Sequence, residues 1–331
     1  MMIDYQQRLA RFAQLAASGD VDTPTGPVRL GVDLGTGNIV LAVVDDADQP
    51  VAAAMQASTV VRDGIVVDWL GAVQVVTALR KDLERRIGVE LSAASIAVPP
   101  GIDEATAKIF GNVVEACGMK VANIVDEPVA AALALGFTDG AVIDVGHGTT
   151  GVSILKAGEV VKSIDQATGG HHQTLVISGA LKIDYDQAEQ LKKNPSQADL
   201  VFGIIRPTLE RMASIAKQAI GDQQLDAIVL VGGASSLPQS AELFSQILGQ
   251  PVIRPDHPLF PTPLGTALWK EQLPTQQSAA EPQLAAATTE PTAAAIDEPV
   301  PAEPKKAPKK AKRTTKKSSQ QRPQSAGGAA S

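Results

Sequence analysis

Two segments of this 331-residue chain echo each other. "VDLGTGNIVLAVV" begins at residue 32 and "IDVGHGTTGVSIL" at residue 143, so Asp33 and Asp144 stand 111 positions apart. Each segment sets Asp-x-Gly-x-Gly between two apolar runs that read as strands. Two such hairpins in corresponding places predict a duplicated fold. Glycine lets each turn adopt positive φ and present bare backbone N–H groups, which together form an anion-binding concavity. An aspartate closing each strand cannot favour phosphate directly. It makes sense where a divalent metal sits between carboxylate and phosphate, because Mg2+ keeps most of its waters and takes one or two carboxylates. The expectation is a cleft in which two hairpins grip a nucleotide's phosphates from opposite sides. Either hairpin taken alone reads equally well as a plain tight turn.

A rival reading starts from Gly146-His147-Gly148-Thr149-Thr150-Gly151, which matches the dinucleotide fingerprint G-x-G-x-x-G, with Asp165 at a plausible ribose distance. That fingerprint needs a strand before it and a helix after it, so that the helix N-terminus faces the pyrophosphate. Here Val152-Ser153-Ile154-Leu155 follows, a short alternating strand, and the motif fails its own context. No G-x-x-x-x-G-K-[ST] occurs either. Composition narrows the field further. The chain is 44% hydrophobic, enough for a sizeable core, yet no apolar run approaches the roughly 20 residues of a membrane span. The start lacks a secretion-signal pattern. Cys117 is alone, which excludes an internal disulfide and fits a reducing cytoplasm. Aromatics are 3%, which argues against a base-stacking nucleic-acid platform.

Residues 1–27 read as an N-terminal amphipathic helix and linker, with Tyr5, Leu9, Phe12 and Ala16 on one face. It can pack on the body or dock elsewhere. Residues 28–137 and 138–270 read as two α/β lobes of alternating strands and helices. In the second lobe the sequence predicts helices around 173–182, 186–193 and 200–220. Residues 271–331, rich in Ala, Pro and Lys, cannot bury enough apolar surface to order themselves. From Pro301 onward this tail carries nine Lys and Arg against Glu303 alone, while the whole chain has a net charge of −7. An acidic body with a basic tail suits an acidic protein partner or, less readily, nonspecific nucleic-acid binding, held by contacts that weaken with salt; a solvated spacer is the alternative.

The motifs resemble those of the actin, DnaK-chaperone and sugar-kinase ATPase superfamily over about residues 28–269. "VDLGTGN" and "VIDVGHGTTG" resemble its two phosphate motifs, "KVANIVDEPVAAALALG" and "PTPLGTALW" its two connecting helices, and "IVLVGGASSLP" its adenosine motif. Within that superfamily the chain is similar to the ethanolamine-utilization EutJ family, through "STVVRDGIVVDWLGAV", "DEPVAAALA" and "DQATGGHH". The resemblance implies an actin-like (ribonuclease H-like) fold of two lobes around a nucleotide cleft, with reduced insertions. It also implies a cytoplasmic, chaperone-like role beside a bacterial microcompartment, assisting enzyme folding, reactivation or assembly. The implied partners are microcompartment enzymes or shell proteins. An actin-like (MreB-type) self-assembling filament or scaffold is the alternative.

Site roles follow from the same resemblance. Asp33 and Asp144 would order Mg2+ through water. Gly35, Thr36, Gly37 and Asn38, with Gly146, Gly148, Thr149 and Thr150, would hold the phosphates of ATP or ADP, and His147 would make polar contacts near the cleft. Glu127, immediately before Pro128, would orient the attacking water; a plain helix-dipole role is its alternative. Gly169 and Gly170 would approach the ribose and phosphates. Glu189 and Lys192, with Lys193, would contact ribose or base, although "AEQLKK" taken alone is a solvated helix face. Gly232, Gly233, Ala234 and Ser236 would form the adenosine turn. The chain departs from DnaK-type chaperones at His147, which stands where they carry a glycine, and in three further ways. Gly151 replaces an Asp, Ser236 replaces the Arg that stacks on adenine, and the region of the catalytic Lys is largely lost, with Arg62 as candidate substitute. Slow hydrolysis and binding without hydrolysis both stay open. A metal site built from His147, His171 and His172 lacks a Cys or carboxylate to complete it.

Overall fold

The computed structural model describes residues 5–62 and 64–270; the tail expected at 271–331 lies outside them. The first strands are β1 (Val28–Leu34), β2 (Asn38–Asp45) and β3 (Pro50–Ala57), an antiparallel meander. A small hairpin follows, β4 (Val61–Arg62) with β5 (Ile65–Val66). Then β6 (Ala93–Val98) and β7 (Lys120–Asp126) join in parallel, giving a first sheet of order β3-β2-β1-β6-β7. The second sheet repeats the plan. β8 (Gly140–Val145), β9 (Thr150–Lys156) and β10 (Glu159–Gln166) form a meander, and β11 (Ile228–Val231) runs parallel to β8, in the order β10-β9-β8-β11. Where β7 would have its counterpart, a single parallel bridge joins Ile253 to Val229.

The helices are α1 (Tyr5–Ser18), α2 (Trp69–Ile87), α3 (Glu104–Ala116), α4 (Glu127–Leu135), α5 (Gly170–Leu181), α6 (Tyr185–Lys193), α7 (Ala198–Ile220), α8 (Ser240–Leu248) and α9 (Pro261–Leu268). Local chemistry sets several of their ends. Asp68 and Asp103 cap α2 and α3 by accepting from Gly71 and Thr106 N–H, each at 2.9 Å. Gly88 and Gly136, both left-handed, close α2 and α4. Two elements differ from the sequence expectation. The β4–β5 hairpin is too short to show a period, and Gly64 turns it at positive φ. Helix α5 begins at Gly170, not near 173, so His171 and His172 occupy its first turn.

The period of two in β2 divides its side chains between two cores. Ile39, Leu41 and Val43 face the first-lobe core, with Val76 and Leu83 of α2 and Phe110 and Val113 of α3. Val40, Ala42 and Val44 face α1 and α9 instead. There Leu9, Phe12 and Leu15 of α1 are essentially fully buried, each contributing about 1.5–3 kcal/mol of apolar burial. Of the two outcomes left open for the N-terminal helix, the structure shows it packed on the body.

The connecting helices exchange lobes. Helix α4 leaves the first sheet and packs Ala131, Ala132 and Leu135 on Val142, Leu155, Val229 and Val231 of the second. Helix α9 follows the second sheet and packs Leu264, Ala267 and Leu268 on the first. They cross where a β-carbon on Gly265 would lie only 1.7 Å from the Ala130 carbonyl oxygen. Small residues at the crossing let the two backbones touch.

Candidate functional site

The carboxyl ends of β1, β7, β8 and β11 converge, the usual place for a ligand in an open α/β sheet. Strand β1 delivers Asp33, β7 delivers Asp126 and leads straight into Glu127 at the head of α4, and β8 delivers Asp144. Asp165 comes from the end of β10. These carboxyls are close enough to disturb one another. Burial, then the charge of Asp144, pushes Asp33 up to about 7. Burial and then Asp165 push Asp144 up to about 6. Glu127 is raised well above the ordinary carboxylate range by burial, then by Asp33, Asp144, Asp165 and Asp126. Gathered like charges are a poor structural device and a good cation seat.

The positive φ expected of the two turns is absent at Gly35, Gly37 and Gly146, and the glycines around the carboxyls are dictated by contact instead. A β-carbon on Gly232 would stand 2.2 Å from the Asp144 carboxylate, so the turn after β11 presses bare backbone against it. Gly232 also has φ +88°, which favours glycine. On Gly169 a β-carbon would meet the His147 and Gly146 carbonyl oxygens at 2.6 and 2.7 Å. The two aspartate turns meet as well, since a β-carbon on Gly37 would lie 3.0 Å from His147 Cβ.

The structure thus brings together Asp33, Gly35, Thr36, Gly37 and Asn38 on one side and Asp144, Gly146, His147, Gly148 and Thr149 on the other, with Glu127 below. Thr150 is different. It is fully buried and its hydroxyl donates to the Thr168 carbonyl at 2.6 Å, so it braces the turn and offers no side-chain contact to a phosphate. Gly170 N–H donates to Gly146 O at 2.9 Å and His171 N–H to His147 O at 2.8 Å. The first turn of α5 therefore spends these donors on the second hairpin.

Glu189 and Lys192 do not form a solvated face. Lys192 Nζ donates to Gly170 O at 2.8 Å and Thr174 Oγ1 at 2.6 Å, and pairs with Glu189 at 2.7 Å. Burial alone would raise the Glu189 carboxyl, yet hydrogen bonds from Lys192 and Thr174 bring it down to about 2. Lys193 is the exposed outer partner of Glu189, at 3.1 Å. Ala234 packs against Gly170, while Gly233 and Ser236 are exposed, the Ser236 hydroxyl donating to Gly233 O at 2.7 Å. Sequence reasoning missed Tyr185, whose hydroxyl lies 3.0 Å from His171 Nδ1, and Thr174 beneath it. Among the described residues, no three His, Cys, Asp or Glu side chains are placed to hold a metal directly, the three histidines included.

Two surface depressions lie elsewhere. One of about 370 Å3 is lined by Ile164, Gln166 and α7, on the face of β10 opposite Asp165. The other, about 410 Å3, runs between α1, Met55 and Phe260. Neither gathers carboxylates or converging glycines. No helix among the described residues is long and apolar enough to cross a membrane.

Comparison with known proteins agrees with this geometry. The sequence matches the family profiles "Cell division protein FtsA" over residues 141–288 and "Hsp70 protein" over residues 70–201. The ethanolamine utilization protein EutJ of Escherichia coli K12 is 40% identical over 79% of this chain and 94% of its own length. The crystal structure of EutJ from Carboxydothermus hydrogenoformans is 41% identical and superposes with a TM-score of 0.77, covering 81% of this chain and 99% of that one. MreB5 of Spiroplasma citri, solved bound to ADP, shares the fold at a TM-score of 0.61 and 16% identity, over 73% of this chain and 95% of that one. The architecture is an actin-like ATPase fold.

Proposed function

Since this chain belongs to the EutJ family of ethanolamine utilization proteins, we propose that it binds ATP and ADP with Mg2+ in the cleft between its two aspartate turns. It then acts as a slow, chaperone-like ATPase that assists folding, reactivation or assembly of microcompartment enzymes in the cytoplasm. The observation that carries this is the meeting of the two turns over Glu127. Asp33, Asp144 and Glu127 are held together with raised pKa values, an arrangement that gains from a cation.

Magnesium fits the residues present. Two half-buried carboxylates without a third direct ligand match a hard cation that keeps most of its water. Asp33 and Asp144 would hold it through that water, and its chemistry is to neutralise charge on the phosphate oxygens. The chain's own groups do the rest. Backbone N–H groups of the two turns cradle the phosphates, with the Thr36 and Thr149 hydroxyls beside them. Glu127, its carboxylate form favoured once a cation offsets its neighbours, orients water and accepts its proton. Gly170, Lys192 and Ala234 shape the nucleoside side of the cleft. Positioning dominates, which suits a slow turnover.

Calorimetric titration with ATP–Mg2+ tests this: saturable binding is expected, with its loss in Asp33→Ala. Glu127→Gln should bind normally while hydrolysis falls about 10²-fold or more. Normal binding by Asp33→Ala would remove the metal role, and unchanged turnover by Glu127→Gln the water-orienting one.

A second reading, an actin-like filament or scaffold, is favoured by the apolar side chains of Val67, Trp69 and Leu70, which are 55%, 44% and 59% exposed at the start of α2. ATP-dependent sedimentation or light scattering separates it from a monomeric switch.

A further inference from the structure

The two turns touch through one side chain. A β-carbon on Gly37 would stand 3.0 Å from His147 Cβ, 3.2 Å from Cγ and 3.5 Å from Nδ1, so the imidazole lies against the bare backbone of the opposite turn. Both turns are tied down behind this contact. The Gly37 carbonyl accepts from Ser58 N–H at 3.2 Å, and the His147 carbonyl from His171 N–H at 2.8 Å. A phosphate held between the turns would compete with this ring for space, because packed groups leave no room for overlap.

We propose that His147 makes the cleft selective for a nucleoside diphosphate over the corresponding triphosphate, by occupying, against Gly37, the space the terminal phosphate requires. The inference rests on the nucleotide-binding reading of the same cleft. A triphosphate must drive the ring away from Gly37 or part the turns, whereas a diphosphate leaves the contact in place. The ring's nearest aromatic neighbour is His171, with centroids 5.8 Å apart, itself held by Tyr185. Burial and then Lys192 lower the imidazole's pKa, which favours the uncharged ring. Forcing a side chain from its preferred rotamer costs roughly three- to tenfold in affinity.

The test is calorimetric titration of the full chain with ADP–Mg2+ and with AMPPNP–Mg2+, a triphosphate analogue that resists hydrolysis. Wild type, His147→Gly, Gly37→Ala and the double variant are compared, with thermal unfolding to show that each is folded. His147→Ala replaces the glycine variant if that turn loosens. Wild type should prefer the diphosphate. His147→Gly should shrink the preference roughly three- to tenfold by tightening the triphosphate alone. Gly37→Ala should widen it, and the widening should vanish in the double variant. An unchanged ratio in His147→Gly, or a weakened triphosphate, overturns the inference while leaving nucleotide binding intact. A folded wild type that binds neither nucleotide overturns the nucleotide reading and this inference with it.

Discussion

Asp33 and Asp144 end equivalent strands, but the turns that follow them are held differently. The first, residues 35–37, is short, and its Gly37 carbonyl accepts one backbone bond, from Ser58 N–H at 3.2 Å. The second, residues 146–149, is a residue longer and is bolted to α5. Gly170 and His171 N–H donate to its carbonyls, Gly169 lies against its backbone, and Thr150 ties its base to Thr168. Duplication has supplied two copies of one hairpin, of which one became a braced anvil and the other a lighter jaw. The asymmetry teaches that an internal sequence echo reports a shared plan and not shared rigidity.

The sharpest way to break this comparison is to add one methyl group to each side. Gly169→Ala drives a β-carbon into three backbone atoms at 2.6 to 2.7 Å, and should cost about 3 kcal/mol or more in denaturant unfolding. Gly37→Ala meets only a histidine side chain, at 3.0 Å, and should cost about 1 kcal/mol or less. Equal costs would dissolve the distinction between braced and light turns.

A pH series sharpens it from the side of charge. Asp33 has its folded pKa raised, so its favourable contribution is complete below the ordinary carboxylate pKa and is lost as pH rises through about 7. Asp33→Asn removes that loss. In nucleotide-free protein it should raise stability at pH 8 by roughly 1–3 kcal/mol, with the gain shrinking toward pH 4. Thermal unfolding of both proteins across that range measures it, and a gain that grew on acidification would contradict the sign.

The brace itself can be weakened. Thr150→Val removes the buried hydroxyl that satisfies Thr168 O, at an expected cost of about 1–2 kcal/mol. Nucleotide affinity should fall less than stability does, as measured by titration beside the unfolding curve. The smallest effect is in protons. Binding ATP–Mg2+ near pH 6.5 should release up to about one proton from Asp33 and Asp144, and almost none from that pair at pH 8.5, because a cation lowers raised carboxyl pKa values. Calorimetry in buffers of different ionisation enthalpy reads that number.

Much of this was legible from local pattern. The Asp-x-Gly-x-Gly echo located both turns, and the left-handed glycines at 88 and 136 marked helix ends because few other residues tolerate that conformation. The first turn of α5 was not legible. Gly169-Gly170-His171-His172 has weak helix propensity, and tertiary bonds to Gly146 and His147 stabilise it instead. Thr150 was not legible either, because β9 is buried on both faces and parity does not separate a bracing hydroxyl from one that faces the cleft. The Glu189–Lys192 pair looks solvated in sequence because Thr174 and Gly170, which draw it inward, are more than a dozen residues away. Nothing short of the fold brings Gly37 to His147.

The most direct measurement is a double-mutant cycle on ATP–Mg2+ affinity with Asp33→Ala, Asp144→Ala and both together. If the two turns share one cation, each single change should weaken binding by about 10²-fold or more, and the second should add little to the first. Two losses that multiply independently, or binding that survives both substitutions, would contradict a common grip.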